Sequence, residues 1–167
     1  GMDVPTTVDE WYTVLKAAKD YGIETPFNLD QNGGTYMSLA WGVNTDSADH
    51  YMQLDGDTIK YGVVEDGFKN YLDTMRKWYA EGLINPNFTS FHYFLDTPGS
   101  VETNQIFLYT RVLSAFSGSN YFNFHMTSNA DAYLQAVTAP VLKEGDKPIQ
   151  NGGRLIAKEG LYIPTDC

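Results

Sequence analysis

YGVVEDGFKNYLDTMRKWYAEGLINPNF, from Tyr61 to Phe88, holds one amphipathic helix with both ends legible. Phe68, Tyr71, Leu72, Met75 and Trp78 recur at the three-and-four spacing of a single helical face, while Lys69, Asn70, Asp73, Arg76 and Lys77 fill the other. Glu65 and Asp66 place negative charge where the free N–H groups of the first turn point. Gly82 can adopt the left-handed conformation that ends a helix, and Pro86 prevents its resumption. The pattern predicts a helix docked on a sheet through its aromatic face.

Working outward, Thr7 and Glu10 have the spacing of a capping box, with Thr7 as N-cap and Glu10 reaching back from the third helical position. Val8, Trp11, Leu15 and Ala18 then form a buried stripe that runs to Tyr21-Gly22. Thr25 to Leu29 predicts a short buried strand. Asn32-Gly33-Gly34 predicts a turn into a helix carrying Tyr36, Leu39, Ala40 and Val43. Tyr51 to Tyr61 predicts a hairpin with Asp55-Gly56-Asp57 at its tip. Its two faces are Tyr51, Gln53, Thr58 and Lys60 against Met52, Leu54, Ile59 and Tyr61. Beyond an irregular stretch from Phe88 to Pro98, the pattern predicts a helix from Ser100 to Thr110 with Val101, Ile106, Phe107 and Leu108 near one face. Strands follow at Val112 to Phe116 and Leu134 to Thr138, with a short helix at Asn120 to Met126 between them. Glu144 to Pro148 is a loop, and Arg154 to Ile163 a pair of strand segments. Helices alternating with strands imply an α/β layer architecture.

Two segments give this architecture a more specific reading. The residues from Tyr71 to Phe88 closely resemble the segment "Y-L-x-x-M-x-x-L-Y-x-E-G-L-I-D-P-D-F" of extracellular solute-binding proteins of ABC transporters, family 1, the carbohydrate-binding lipoprotein type. Val4-Pro5-Thr6-Thr7-Val8-Asp9-Glu10-Trp11 resembles the "V-P-x-T-W-D-E-L/W" with which that family enters its second lobe. Leu161 to Cys167 resembles the "G-x-x-I-x-x-x-C/S" strand that returns toward the hinge. The resemblance implies the second lobe of a periplasmic-binding-protein type II fold, lacking the first lobe and the C-terminal helices, either as an excised lobe or as a truncated gene product. Gly1-Met2 reads as a cloning scar followed by an initiator, which leaves residues 3–167 as one domain.

The function implied is that of the substrate-binding component of an ABC importer. It captures a sugar or oligosaccharide between two lobes, of which this chain is one, at the extracellular face of the membrane or in the periplasm. Permease subunits are the implied protein partners, and membrane association runs through a lipid anchor that this sequence does not contain. No cofactor is implied. In such a lobe, aromatic planes stack on sugar C–H faces while nearby donors and acceptors meet the hydroxyl rim. Maltodextrin-type members read "N-L-x-E-x-Y-x-x-W" at the first such place; here Asn28-Leu29-Asp30 is followed by Tyr36 and Trp41, with Gly33-Gly34 as a small insertion. They read "A-M-x-x-x-G-P-W-A-W" at the second; here Ala115 to Phe122 leaves Tyr121 as the nearest platform, with Ser-Asn where Pro-Trp usually stands.

Each candidate has a plainer alternative. Tyr36 and Tyr121 are stacking platforms or packing residues. Ser117, Ser119 and Asn120 donate to sugar hydroxyls or cap the turn after Gly118. Arg154 grips a hydroxyl pair or acid group, or forms a salt bridge with one of the 21 acidic residues. Trp11, Trp41 and Trp78 read as core.

Composition narrows the function classes. A net charge of −10 without clustered Lys or Arg argues against nucleic acid. No apolar run approaches the roughly 20 residues of a membrane-spanning helix. The acidity reads as surface charge, since no calcium-loop spacing occurs and His50, His92 and His125 lack metal-ligand spacing. The single cysteine, Cys167, permits no internal disulfide. Asn87-Phe88-Thr89 fits a glycosylation sequon. Asp30, Glu65 and Asp96 sit in no motif that separates a glycosidase's acid from its nucleophile, and Ser117-Gly118-Ser119 is not a nucleophile elbow. The chain therefore reads as a binding protein rather than an enzyme, with a stand-alone carbohydrate-binding or adhesin module, or an accessory domain of a glycan-degrading enzyme, as the alternative.

Overall fold

The computed structural model describes residues 2–29, 34–45, 51–90, 106–109 and 137–147. Within them lie α1 (Val8–Tyr21), β1 (Thr25–Asn28), α2 (Gly34–Ser38), β2 (Met52–Asp55), β3 (Thr58–Tyr61), α3 (Asp66–Ala80) and β4 (Ile106–Tyr109). Helix α1 starts as its capping box requires. The Thr7 hydroxyl accepts from the Glu10 N–H at 3.3 Å, and the Glu10 carboxylate accepts from the N–H groups of Thr6 and Thr7 at 2.8 and 3.0 Å. Those donors, Thr6 first, hold the Glu10 carboxyl down at about 2. The helix ends at Gly22, whose φ of 110° is left-handed. Val8, Trp11, Val14, Leu15 and Ala18 are buried on its inner face.

Helix α3 packs beside it. Trp78 is 1% exposed, stacked on Tyr12 of α1 at 6.3 Å and met edge-on by Phe27 of β1 at 6.2 Å. Tyr71 and Met75 complete the buried face, and burial pushes the Tyr71 hydroxyl up to about 12. Leu72 departs from expectation, with 47% of its surface exposed. It lies about 100° round the helix from Tyr71, past the arc that one contact face covers. After α3, Glu81 and Gly82 are gripped from α1: the Tyr12 hydroxyl donates to the Glu81 carboxylate at 2.8 Å, and Lys19 Nζ donates to the carbonyls of Glu81 and Gly82 at 2.9 and 2.8 Å.

Strand β1 pairs in parallel with β4, Phe27 opposite Leu108 and Asn28 opposite Tyr109. Residues 106–109 are thus strand, not the end of the helix predicted from Ser100 to Thr110; the rest of that span lies outside the described residues. Ile-Phe-Leu-Tyr is a continuous apolar run, and such a run satisfies a helical face as readily as a parallel strand. On the other side of β1, the Phe27 N–H donates to Leu83 O and the Asn85 N–H to Phe27 O, making Leu83–Asn85 a further parallel partner. A separate parallel bridge ties Thr7 to Val141. Val137 and Thr138, the end of the strand predicted from Leu134 to Thr138, are not strand; the rest of that span lies outside the described residues.

The helix predicted through Val43 is shorter than its periodicity suggests. A 3₁₀ turn over Leu39–Trp41 follows α2, and Gly42, at φ 72°, ends it before the buried Val43. The hairpin has the predicted pairing, Met52 opposite Tyr61 and Leu54 opposite Ile59, with Gly56-Asp57 as its turn. Its attachment is inverted. Gln53 lies toward the domain, its Nε2 donating to Gly42 O and its Oε1 accepting from Asn44 N–H, both at 2.7 Å. Leu54 and Ile59 are each 73% exposed. Lys60 pairs with Asp55 at 2.7 Å and with Glu65 at 3.8 Å, an arrangement that lowers the Asp55 carboxyl and raises the Lys60 amine. The predicted elements at Val112 to Phe116, Asn120 to Met126 and Arg154 to Ile163 lie outside the described residues.

Candidate functional site

Parallel strands have two unlike ends, and in open α/β sheets ligands meet the carboxyl end. β1, β4 and the Leu83–Asn85 segment run in one direction, so Asn28, Tyr109 and Asn85 end side by side. The turn that stops the third segment is built by its own sequence. Pro86 offers no N–H, and the Asn85 side chain bridges over it, Oδ1 accepting from the Asn87 N–H at 2.9 Å. The Phe88 N–H donates to Asn85 O at 3.1 Å, closing the loop. The other end of the Asn85 side chain faces β1, where its Nδ2 donates to Asn28 Oδ1 at 3.0 Å. Asn28 is 2% and Asn85 7% exposed.

This pair of carboxamides escaped the sequence reading, although both residues stand inside the quoted motifs. The available signal was a polar residue closing an otherwise apolar strand, Phe27-Asn28, and an Asn-Pro step closing another, Asn85-Pro86. Neither side chain ionises at ordinary pH, so this pair offers neutral donors and acceptors.

Of the residues expected to contact a ligand, Tyr36 is on α2, the helix that follows β1 in the chain, and 39% of its surface is exposed. It makes no ring contact among the described residues. Ser117, Ser119, Asn120, Tyr121 and Arg154 lie outside the described residues. Trp41 and Trp78 take the packing roles expected of them, Trp41 meeting Tyr71 edge-on at 5.6 Å. Behind α2, Ser38 Oγ donates to Val43 O at 3.0 Å and Asn44 Nδ2 donates to Met52 O at 2.9 Å, fixing the segment that carries Tyr36 to the hairpin. Gly67 lets α3 approach this segment, since a Cβ there would collide with the Trp41 carbonyl. Among the described residues no group of three or more His, Cys, Asp or Glu could hold a metal ion, and no helix is long and apolar enough to cross a membrane.

No protein-family model and no curated protein sequence matches the chain. Solved structures do. The chain is similar to the ABC-transporter substrate-binding protein FusA of S. pneumoniae in complex with kestose, at 19% identity and a TM-score of 0.57 over 65% of this chain and 24% of that one. An EF-hand mutant of FusA in complex with fructo-nystose gives 18% identity and a TM-score of 0.53 over 65% and 24%. The alginate-binding protein AlgQ2, without calcium ion, gives 24% identity and a TM-score of 0.53 over 63% and 23%. The chain thus shares its mixed helix-and-strand fold with part of these binding proteins and spans about a quarter of their length.

Proposed function

We propose that the chain is the second lobe of a two-lobed solute-binding protein of an ABC importer, and that it contributes half of a site for a sugar or oligosaccharide. The observation that carries this reading is the common carboxyl edge of β1, β4 and Leu83–Asn85, set in a fold shared with part of FusA, whose structures are complexes with kestose and fructo-nystose, and with part of an alginate-binding protein. Tyr36, exposed on the helix after β1, is the proposed stacking platform on this side of the cleft. Tyr121 is its proposed counterpart, with Ser117, Ser119, Asn120 and Arg154 meeting the hydroxyl rim. Closure of two lobes by hinge rotation then traps the sugar and presents the receptor to permease subunits at the extracellular face of the membrane.

The test is titration of the isotopically labelled chain with a panel of oligosaccharides that includes kestose and alginate fragments. Saturable shifts at Tyr36, lost in Tyr36→Ala, support the reading. Binding should be weak, because the contacts of an opposing lobe are missing. Sub-micromolar affinity in this chain alone would overturn the two-lobed mechanism, and turnover of any glycan would replace it with an enzyme.

A further inference from the structure

We infer that the Asn28 carboxamide is itself a ligand contact, donating from Nδ2 to an oxygen of the bound sugar, and that Asn85 is the positioning residue that fixes which end of that amide faces the ligand. The inference rests on the sugar-binding reading above and adds to it a residue pair and a polarity.

The argument is a count of donors and acceptors. An amide side chain can be turned end for end, so its orientation follows from its partners. Asn85 meets the N–H of Asn87 at 2.9 Å, and only an oxygen can accept there. Its NH2 is thereby committed to the other side, toward Asn28 at 3.0 Å, and Asn28 must answer with its own oxygen. The Asn28 NH2 is left facing away from Asn85, and no partner for it occurs among the described residues. Trp11 Nε1 is the one fully enclosed side-chain polar atom without a partner among the described residues. Asn28 Nδ2, equally without a partner among them, therefore keeps the little accessible surface of a residue only 2% exposed. A donor with one fixed orientation sits at the carboxyl end of a parallel strand, where ligands of α/β sheets approach. Two N–H groups suit a sugar oxygen, whether hydroxyl, ring ether or carboxylate, and they reject a donor.

The resembling segment of solute-binding proteins carries Asp where this chain has Asn85, which gives the test its discriminating variant. Asn85→Asp keeps an acceptor for the Asn87 N–H, so the turn over Pro86 survives. It cannot donate to Asn28, however. Asn28 must turn over to hydrogen-bond it, and then presents an oxygen where it had presented N–H groups.

The experiment follows the side-chain amide resonances of the 15N-labelled chain during titration with kestose and with an alginate oligosaccharide. The expected result is a saturable downfield shift of the Asn28 NH2 pair, and in Asn85→Asp an unchanged melting transition with affinity lower by about tenfold, the scale of one hydrogen bond lost. Shifts at Tyr36 with the Asn28 resonances unmoved would overturn the inference and leave the sugar-binding reading standing. Absence of any shift with either sugar would overturn both. Equal affinity in a folded Asn85→Asp would show that the pair is structural and its polarity irrelevant to the ligand. The wild-type titration decides the matter even if a variant fails to fold.

Discussion

Replacing Gly82 by alanine tests whether the end of α3 is held by α1. Gly82 has a φ of 68°, and the Lys19 ammonium, donating to the carbonyls of Glu81 and Gly82, occupies the place a Cβ would take. Two costs are separable. A left-handed alanine costs about 1–2 kcal/mol relative to its right-handed form. Displacing Lys19 removes two solvent-exposed hydrogen bonds to the last turn, together worth about 1 kcal/mol. The sum is about 2–3 kcal/mol, which for a chain of this size lowers the melting temperature by about 4–12 °C. The assay is urea and thermal unfolding of four proteins: wild type, Gly82→Ala, Lys19→Met and the double variant. In the Lys19→Met background the alanine should cost about 1 kcal/mol less, because the collision has gone and the backbone term alone remains. Additive costs would refute the collision. A cost below about 0.5 kcal/mol for the single variant would refute the left-handed helix end altogether.

Trp78→Ala removes a fully buried ring in contact with Tyr12 and Phe27 and should destabilise by about 3–5 kcal/mol in denaturant titrations. Tyr36→Ala, by contrast, should leave the unfolding midpoint nearly unchanged; on the proposed sugar-binding reading it should also weaken sugar binding by an intact two-lobed receptor, measured by calorimetry, by about 1–3 kcal/mol. Trp11→Phe discards a buried indole N–H that has no partner among the described residues, so its cost should stay below about 1.5 kcal/mol, well under that of a large-to-small change at the same depth. Glu10 supplies a pH dependence. Its folded-state pKa of about 2 lies below the ordinary 4.5, so its contribution is fully present above about 4.5 and lost as pH falls toward 2. Glu10→Gln should flatten stability against pH across that window, and an unchanged acid limb would exclude the capping box as its source.

The elements legible in the sequence are those whose ends are marked chemically. Thr7, Glu10 and Gly22 bracket α1, and Asp66 and Gly82 bracket α3, because capping groups and left-handed glycines act within a turn of themselves. Ile106–Tyr109 was misread because strand or helix was decided there by its partner β1, distant in sequence. The same holds at the site. Tyr36, the proposed platform, can be picked out in the sequence as an aromatic after a strand, whereas the Asn28–Asn85 bond joins residues 57 apart and leaves no local periodicity to detect. Leu72 and the outward face of the hairpin show the opposite limit, since an apolar pattern says which residues share a face and not what, if anything, covers it.

The hairpin's inverted attachment changes what its sequence is free to do. Register in a two-stranded ribbon is ordinarily enforced by a buried apolar face, which a one-residue slip would turn outward. Here that face is already outward. The address is written instead in polar bonds: Gln53 meets the Gly42 carbonyl and the Asn44 N–H as a neighbouring strand would, and the Asn44 side chain meets the Met52 carbonyl. A slip by one residue would withdraw Gln53 from both. The positions at Leu54 and Ile59 are therefore open to drift in size and polarity without moving the ribbon, whereas a change of Gln53 would remove two of the bonds that seat it and leave the Asn44–Met52 bond to hold the register.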